Sequence, residues 1–252
     1  MKAGHYFLTG AGSGIGRSTA KRLYRDGASL TMVGRRLEAL QETAEEMDQE
    51  RVRVYSCDIR DKERLMDICM EASKERGLFS GVVANAGIGG SNESGENDRF
   101  VELVQTNLIG TYHTLRAVEP YLDVGTDVCH MIVISSCLAR FGVPGYSGYC
   151  ASKAGLLGMV RALAHELAPK IQINAICPGW VDTKMARDGI AGMAMGMNIS
   201  YEEAHRQAMS VVPMGRMSKP EEIAGTVSWL ISKDARGMTG QGIDINSGSW
   251  MG

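Results

Sequence analysis

Tyr6-Phe7-Leu8-Thr9-Gly10-Ala11-Gly12-Ser13-Gly14-Ile15-Gly16 is the stretch on which the fold turns. Tyr6 to Thr9 reads as a short buried strand, the glycines as a tight turn, and Arg17 to Arg25 as a helical run. Glycine permits positive φ and lets backbone touch a pyrophosphate, while the free N–H groups and dipole of a helix N-terminus attract that anion. The spacing Gly-x-x-x-Gly-x-Gly departs from the common G-x-G-x-x-G fingerprint, and a glycine cluster alone is also how a plain turn reads. Its place between the first strand and a helix makes dinucleotide binding the expectation, with Gly10, Gly12, Ser13, Gly14, Ile15 and Gly16 as the cradle.

Working outward, strands and helices alternate to the end of the chain. Ser29 to Val33 forms the second strand. An NAD site usually carries an acid after it, but Gly34-Arg35-Arg36 follows, and an arginine fork binds a 2′-phosphate that a carboxylate would repel. Arg35 and Arg36 therefore lean towards NADP(H), against the alternative that they merely open the solvated helix Leu37 to Met47. Val52 to Ser56 alternates as a third strand and ends at Cys57-Asp58-Ile59, where Asp58 would accept from an adenine amine or cap the helix that starts near Asp61. That helix runs to about Arg76. Gly81 to Gly87 is a buried strand running into the small residues Asn85-Ala86-Gly87, beside which a cofactor can lie. The polar segment Ile88 to Asn97 reads as a loop before a helix from about Asp98 to Glu119, and Asn107 inside that helix asks for a reason. His130 to Ile134 is the fifth strand, with Ser135-Ser136 at its ligand-side edge.

Farther on, Tyr149 and Lys153 stand four residues apart at the head of a helix whose apolar face is Leu156, Leu157, Val160, Leu163 and Leu167. That spacing puts phenol and ammonium on one face, where the positive charge favours the phenolate and makes a general acid/base, although the same pair on a surface helix would be ordinary. Ile171 to Ile176 is the sixth strand, ending in the rigid turn Cys177-Pro178-Gly179-Trp180-Val181-Asp182-Thr183. A methionine-dense segment at about 184–213 (Met185, Met193, Met195, Met197, Met209) would make an adaptable lid over an apolar substrate, or else a partner- or membrane-touching helix. Ser218-Lys219-Pro220-Glu221 fits a capping box for a helix to about Ser232, and Gly242 to Asn246 is the seventh strand. One α/β domain over 1–252, a doubly wound parallel sheet with helices on both faces, accommodates this order.

Composition narrows the function classes. Of 252 residues, 44% are hydrophobic and 22% charged, with a formal net charge of -2, so neither nucleic acid nor a membrane surface is an expected partner. No apolar run is long enough to span a bilayer, and Met1-Lys2 leads almost at once into the first strand, so no signal peptide and a cytoplasmic location are expected. The six cysteines show no C-x-x-C pair and fall within strands and helices, as reduced core residues do, so neither zinc nor a disulfide is expected. Arg140 and Arg187 are candidate contacts for an anionic substrate or carrier protein.

With Thr9-Gly10-Ala11-Gly12-Ser13-Gly14-Ile15-Gly16, Asn85-Ala86-Gly87, Asn107, Ser136, Tyr149-x-x-x-Lys153 and Pro178-Gly179 in this order, the chain resembles the short-chain dehydrogenase/reductase family over essentially its full length. The segments Met214-Gly215-Arg216, Pro220-Glu221-Glu222-Ile223-Ala224 and Thr239-Gly240 look like the subgroup of 3-oxoacyl-carrier-protein reductases. Ala84 departs from a more common asparagine, Cys177 precedes Pro178, and Ser247-Gly248-Ser249 replaces the usual glycine pair. The resemblance implies a Rossmann-like seven-stranded parallel sheet, often tetrameric. It also implies that Tyr149 protonates a carbonyl oxygen as hydride arrives from the nicotinamide and that Ser136 binds that oxygen. Lys153 would lower the tyrosine pKa and hold the ribose, Asn107 would anchor a water that reprotonates Lys153, and Val181 and Thr183 would orient the carboxamide. The implied activity is interconversion of a secondary alcohol and a ketone without a metal. A 3-oxoacyl thioester with NADPH leads, with an NAD(H)-dependent dehydrogenase of a cyclic alcohol, steroid or diol second and a non-catalytic nucleotide sensor a remote third.

Overall fold

The computed structural model describes residues 4–252, so the reading of Met1-Lys2 lies outside the described residues. Seven strands form a single sheet in the order β3-β2-β1-β4-β5-β6-β7, every neighbouring pair parallel. They are β1 His5–Thr9, β2 Ser29–Gly34, β3 Val52–Ser56, β4 Gly81–Ala84, β5 Cys129–Ile134, β6 Ile171–Pro178 and β7 Gly242–Ile245. The central strands are buried at every position. That is the near-continuous burial a parallel sheet needs when both faces are covered.

Helices α1 Gly14–Arg25, α2 Leu37–Ala44 and α9 Pro220–Leu230 cover one face, where Leu23, Leu40, Ile223 and Val227 meet Leu8, Ile132 and Ile176. Helices α3 Lys62–Arg76, α4 Phe100–Val104, α5 Gly110–Val118 and α6 Ser147–Leu167 lie on the other, where Ile68, Leu115, Leu156 and Val160 pack on Phe7, Val82 and Met131. A third, separate core joins α7 Lys184–Met197 to α8 Tyr201–Ser210 through Ile190, Ala194, Ala204 and Met209.

Three local expectations change. The long helix expected from Asp98 to Glu119 is α4 and α5 joined by a π-helical turn over Gln105–Ile109, with Asn107 at its centre. Helix α3 is capped by Asp61, whose carboxylate accepts from Arg64 N–H at 2.9 Å, and not by Asp58. At α9 the box sits one residue later than expected, because Glu222, not Glu221, reaches back to a backbone N–H, that of Lys219 at 2.6 Å.

Two buried histidines make the fold acid-sensitive. His5 Nε2 lies 2.8 Å from Thr31 Oγ1 and Nδ1 3.0 Å from the Gly77 carbonyl, whereas His130 Nδ1 has no partner. Burial is the largest influence on each and pushes both down to about 4. Between about pH 6.5 and 4 the unfolded chain thus binds protons that the folded chain refuses, so stability falls with falling pH, by up to roughly 1.4 kcal/mol per pH unit for each histidine. Urea titrations should show a stability that is flat in this respect above pH 7 and drops below 6.5, and His130→Gln should remove about half of the histidine-derived slope.

Candidate active site

The carboxyl ends of β1, β4, β5 and β6 converge where the strand order reverses between β1 and β4, the place at which an open α/β sheet leaves a crevice. At the end of β1, Gly10 turns with φ +70°. The turn is braced by β4. Thr9 Oγ1 accepts from the N–H groups of Asn85 and Ala86, both at 3.1 Å, and Asn85 Nδ2 donates to the Thr9 carbonyl at 3.0 Å and the Gly10 carbonyl at 3.3 Å. The Asn85 amide nitrogen is thereby engaged by the turn itself. A Cβ at Gly16 would stand 2.1 Å from Gly10 O, so helix α1 is drawn tight under the turn. Ser13 precedes α1 without a side-chain cap bond, and the first turn of α1 holds no acidic residue, so the helix N-terminus is open to an anion.

Arg17, which the sequence did not single out, stitches the turn to α2 through Nη2, 2.7 Å from the Gly12 carbonyl and 2.9 Å from Glu42 Oε2. Arg35 and Arg36 are exposed at the end of β2 and have no ion-pair partner among the described residues. Asp58 is engaged in a two-pronged pair by Arg60, with Nη2 2.7 Å from Oδ2 and Nε 3.1 Å from Oδ1. This hydrogen bond holds its carboxyl below the usual range. Asp58 thus meets an arginine that the sequence reading had not paired with it. Ile59 is 5% exposed and packs in the core, where a Cβ on Gly110 would meet its Cδ1 at 2.8 Å.

On the β5 side, four expected residues gather. Ser136, 8% exposed, opens a short turn in which its Oγ accepts from Leu138 N–H at 3.1 Å. Lys153 is 5% exposed, donates from Nζ to the Ile134 carbonyl at 3.0 Å, and lies 5.7 Å from the centroid of the Tyr149 ring. Burial pushes the Tyr149 phenol up to about 12, against a hydrogen bond with Ser136 that pulls it down. Burial also pushes Lys153 down to about 8. The lowering of the tyrosine by the lysine is not the dominant effect here, because both groups have left water and the ammonium is aimed at a carbonyl.

Asn107 is fully buried. Its Oδ1 accepts from Ile88 N–H at 2.8 Å, and its Nδ2 donates to the Ile88 carbonyl at 3.0 Å and to Ser152 Oγ at 3.1 Å. Both ends of the amide thus clamp the loop after β4, and the π-turn carries the side chain inward. The clamp sets Gly87 over the site, with its virtual Cβ 3.0 Å from Asn107 Oδ1 and 3.5 Å from Lys153 Nζ. Asn92, in the loop whose composition carried no such signal, caps α6 by accepting from Gly148 N–H at 2.8 Å.

After β6, Gly179 passes so close to the next segment that a Cβ would lie 2.8 Å from Asn246 O. Val181 is buried, and Thr183 caps α7 while its methyl lies 2.9 Å from a virtual Cβ on Gly14. The methionine-dense segment is the α7–α8 hairpin. Met185 leans on the loop after β4, 3.0 Å from a virtual Cβ on Gly89, whereas Met195 points outward at 83% exposure. Arg140 and Arg187, candidate contacts for an anionic substrate or carrier, are paired with Asp244 and Asp182. All six cysteines are free thiols, with Cys150 alone not fully buried. Among the described residues no helix is long and apolar enough to cross a membrane.

Residues 10–249 match the family model described as enoyl-(acyl carrier protein) reductase. A putative ketoacyl reductase of Streptomyces coelicolor is 32% identical over 249 residues, covering 96% of this chain and 95% of the relative. A 3-oxoacyl-[acyl-carrier-protein] reductase of Thermotoga maritima is 30% identical over 248 residues, with coverage of 96% and 95%. The structure of a variant of actinorhodin polyketide ketoreductase with NADPH superposes with a TM-score of 0.92 at 30% identity, covering 98% of this chain and 97% of that one.

Proposed function

The chain belongs to the short-chain dehydrogenase/reductase family of nicotinamide-dependent oxidoreductases, and from that premise we propose that it reduces the ketone of a 3-oxoacyl thioester with NADPH. The observation that carries this reading is the meeting of Tyr149 and Ser136 above Lys153 at the crevice. A phenol pushed up to about 12 keeps its proton at neutral pH and can release it to an oxygen that is gaining charge. Ser136 supplies a second hydroxyl to the same oxygen and fixes its angle. Two hydroxyls converging on one oxygen favour a carbonyl acceptor over the carbon–carbon double bond of an enoyl thioester.

The glycine turn and the open α1 N-terminus fit a pyrophosphate, since a side chain at Gly10 or Gly16 would fill the space backbone now occupies. Arg35 and Arg36 would hold a 2′-phosphate. Lys153 would take the nicotinamide ribose hydroxyls, Asn107 would keep Gly87 and Ile88 above it, and Pro178, Gly179, Val181 and Thr183 would border the nicotinamide. When bound, the dinucleotide supplies the hydride. The α7–α8 hairpin would close on an acyl chain delivered as a coenzyme or carrier thioester. A cytoplasmic homotetramer is part of the same reading; Val101 and Tyr112, exposed at 66% and 41%, give a second copy apolar side chains to cover, and light scattering would report the assembly's mass.

Oxidation of NADPH and of NADH by the purified protein, with a short 3-oxoacyl thioester and with the matching 2-enoyl thioester, tests the reading. Turnover of the ketone with NADPH is the expected result. Turnover of the enoyl thioester alone would overturn the substrate, and oxidation of a cyclic alcohol with NAD alone would overturn both substrate and cofactor. Arg35→Asp is expected to lower kcat/KM for NADPH at least tenfold and leave NADH within about threefold; an unchanged ratio would remove Arg35 from the 2′-phosphate site.

A further inference from the structure

Resting on that reading, we infer that Arg140 is a positioning residue for Ser136, acting through a clamp that the segment after β7 closes. Arg140 ends the short turn that begins at Ser136, four residues earlier, and its N–H donates to the Cys137 carbonyl at 2.8 Å. From there the guanidinium crosses to the far edge of the sheet. Nη2 donates to the Gly242 carbonyl at 2.8 Å and to Asp244 Oδ2 at 3.0 Å, and Nε faces Asp244 Oδ1 at 3.4 Å. The two side chains are only 20% and 23% exposed, so water screens the pair weakly. The Trp250 ring lies over the guanidinium at 5.0 Å, a cation–π contact that closes its open face.

The fit is tight on β7. A Cβ on Gly242 would stand 2.7 Å from Arg140 Nη2 and 3.3 Å from Leu157, so that glycine admits the arginine between β7 and the helix that carries Tyr149. The far end of the clamp is itself anchored. Asn246 Nδ2 donates to the Trp250 carbonyl at 3.0 Å, Met214 N–H donates to the Ser247 carbonyl at 3.2 Å, and the Ser218 and Ser247 hydroxyls lie 3.0 Å apart. Ser136 is thereby tied, through one planar fork, to the segment that also receives the base of the α7–α8 hairpin. Lysine cannot reproduce this, since a single ammonium cannot present the parallel N–H groups that Asp244 and Gly242 accept.

The test uses the full chain in four variants. Amide exchange of Leu138 and Ala139, whose N–H groups close the turn on Ser136, is expected to accelerate at least tenfold in Arg140→Ala and less in Arg140→Lys, with β1 and β4 amides unchanged. In ketone reduction, Arg140→Ala should lower kcat by roughly ten- to a hundredfold with KM for NADPH unchanged. Ser136→Ala should lower it comparably or more, and the double variant should be no slower than Ser136→Ala. In the alcohol-oxidising direction the rising pH limb should move to higher pH in Arg140→Ala, because the phenol loses the hydrogen bond that lowers it. Unchanged exchange, or losses that multiply in the double variant, would overturn the assignment. Wild-type protein with no turnover on any carbonyl would instead overturn the proposed function, while the exchange rates would still decide whether Arg140 holds the Ser136 turn.

Discussion

Tyr149→Phe is expected to lower kcat for ketone reduction by about a thousandfold or more while leaving NADPH affinity within about twofold. The substitution removes one oxygen and keeps the ring, so the packing of α6 against the sheet persists. What is lost is the acid. The phenol, held at about 12 by burial against the pull of Ser136, is the hydroxyl at the crevice whose proton can follow charge onto a ketone oxygen. Lys153 cannot replace it, because its ammonium donates to the Ile134 carbonyl at 3.0 Å and in the proposed reading its other donors hold the ribose rather than the ketone oxygen. Proton donation from a fixed group contributes about 10²–10⁴-fold, and the lost hydrogen bond to the developing oxyanion adds to that. Single-turnover reduction and a fluorescence titration with NADPH separate the two effects. A variant with wild-type kcat would dismiss Tyr149 as the acid, and one that fails to bind NADPH would assign it to the cofactor instead.

Gly16→Ala should abolish dinucleotide binding and destabilise the fold by roughly 3 kcal/mol, at the upper end of what overpacking usually produces. The added methyl would stand 2.1 Å from Gly10 O, 2.5 Å from Asn85 Nδ2 and 2.7 Å from the Gly10 carbonyl carbon. Two of these atoms are backbone of the turn, and the third belongs to the amide that braces it, so relief requires α1 to move away from β1. That movement, or displacement of the Asn85 amide from the Thr9 and Gly10 carbonyls it now meets, opens the cradle. A thermal melt should fall by about 2–4 °C per kcal/mol for a chain of this size. Gly192→Ala is the matched control. Nothing lies within 4 Å of its virtual Cβ inside α7, so alanine should leave the melt unchanged or raise it slightly. Retained NADPH binding in Gly16→Ala would show that the turn tolerates a separation the geometry forbids.

The sheet and the site were legible to different depths. The central strands, buried on both faces, are largely apolar, the edge strand β3 alternates, and glycine tolerates the positive φ of Gly10 and Gly14, so the strands and the turn after β1 show directly in residue type. Ser136, Tyr149 and Lys153 are legible for a related reason, since helix spacing and the end of a strand place them without knowledge of the rest of the chain. Partners distant in sequence leave no local pattern. Arg140 meets Asp244, 104 residues away, and Asn107 meets Ser152, 45 away, so the first read as a free cation and the second as an asparagine in need of a purpose. The π-turn is invisible for the same reason, because the bonds to Ile88 that hold Asn107 there join residues 19 apart. Asp58 shows the opposite failure. Its partner Arg60 is two residues away, but a pair on a loop has no periodicity to betray it.

The third core, the one shared by α7 and α8, has a bearing on how such a chain diversifies. Ile190, Ala194, Ala204 and Met209 pack with one another and not with the clusters on either side of the sheet. Changes there are absorbed within the hairpin, whereas a change in Leu8 or Val82 disturbs strands that carry the dinucleotide turn. In the proposed reading, the hairpin that would meet the substrate thus shares no core cluster with the strands that would hold the dinucleotide, and touches the site at its base through Thr183 and Met185. If the hairpin lines the pocket as proposed, mutations that recut it would meet weak purifying pressure from folding, and the segment of about thirty residues between Thr183 and Pro213 would be the part to exchange when one sheet is turned to a new substrate.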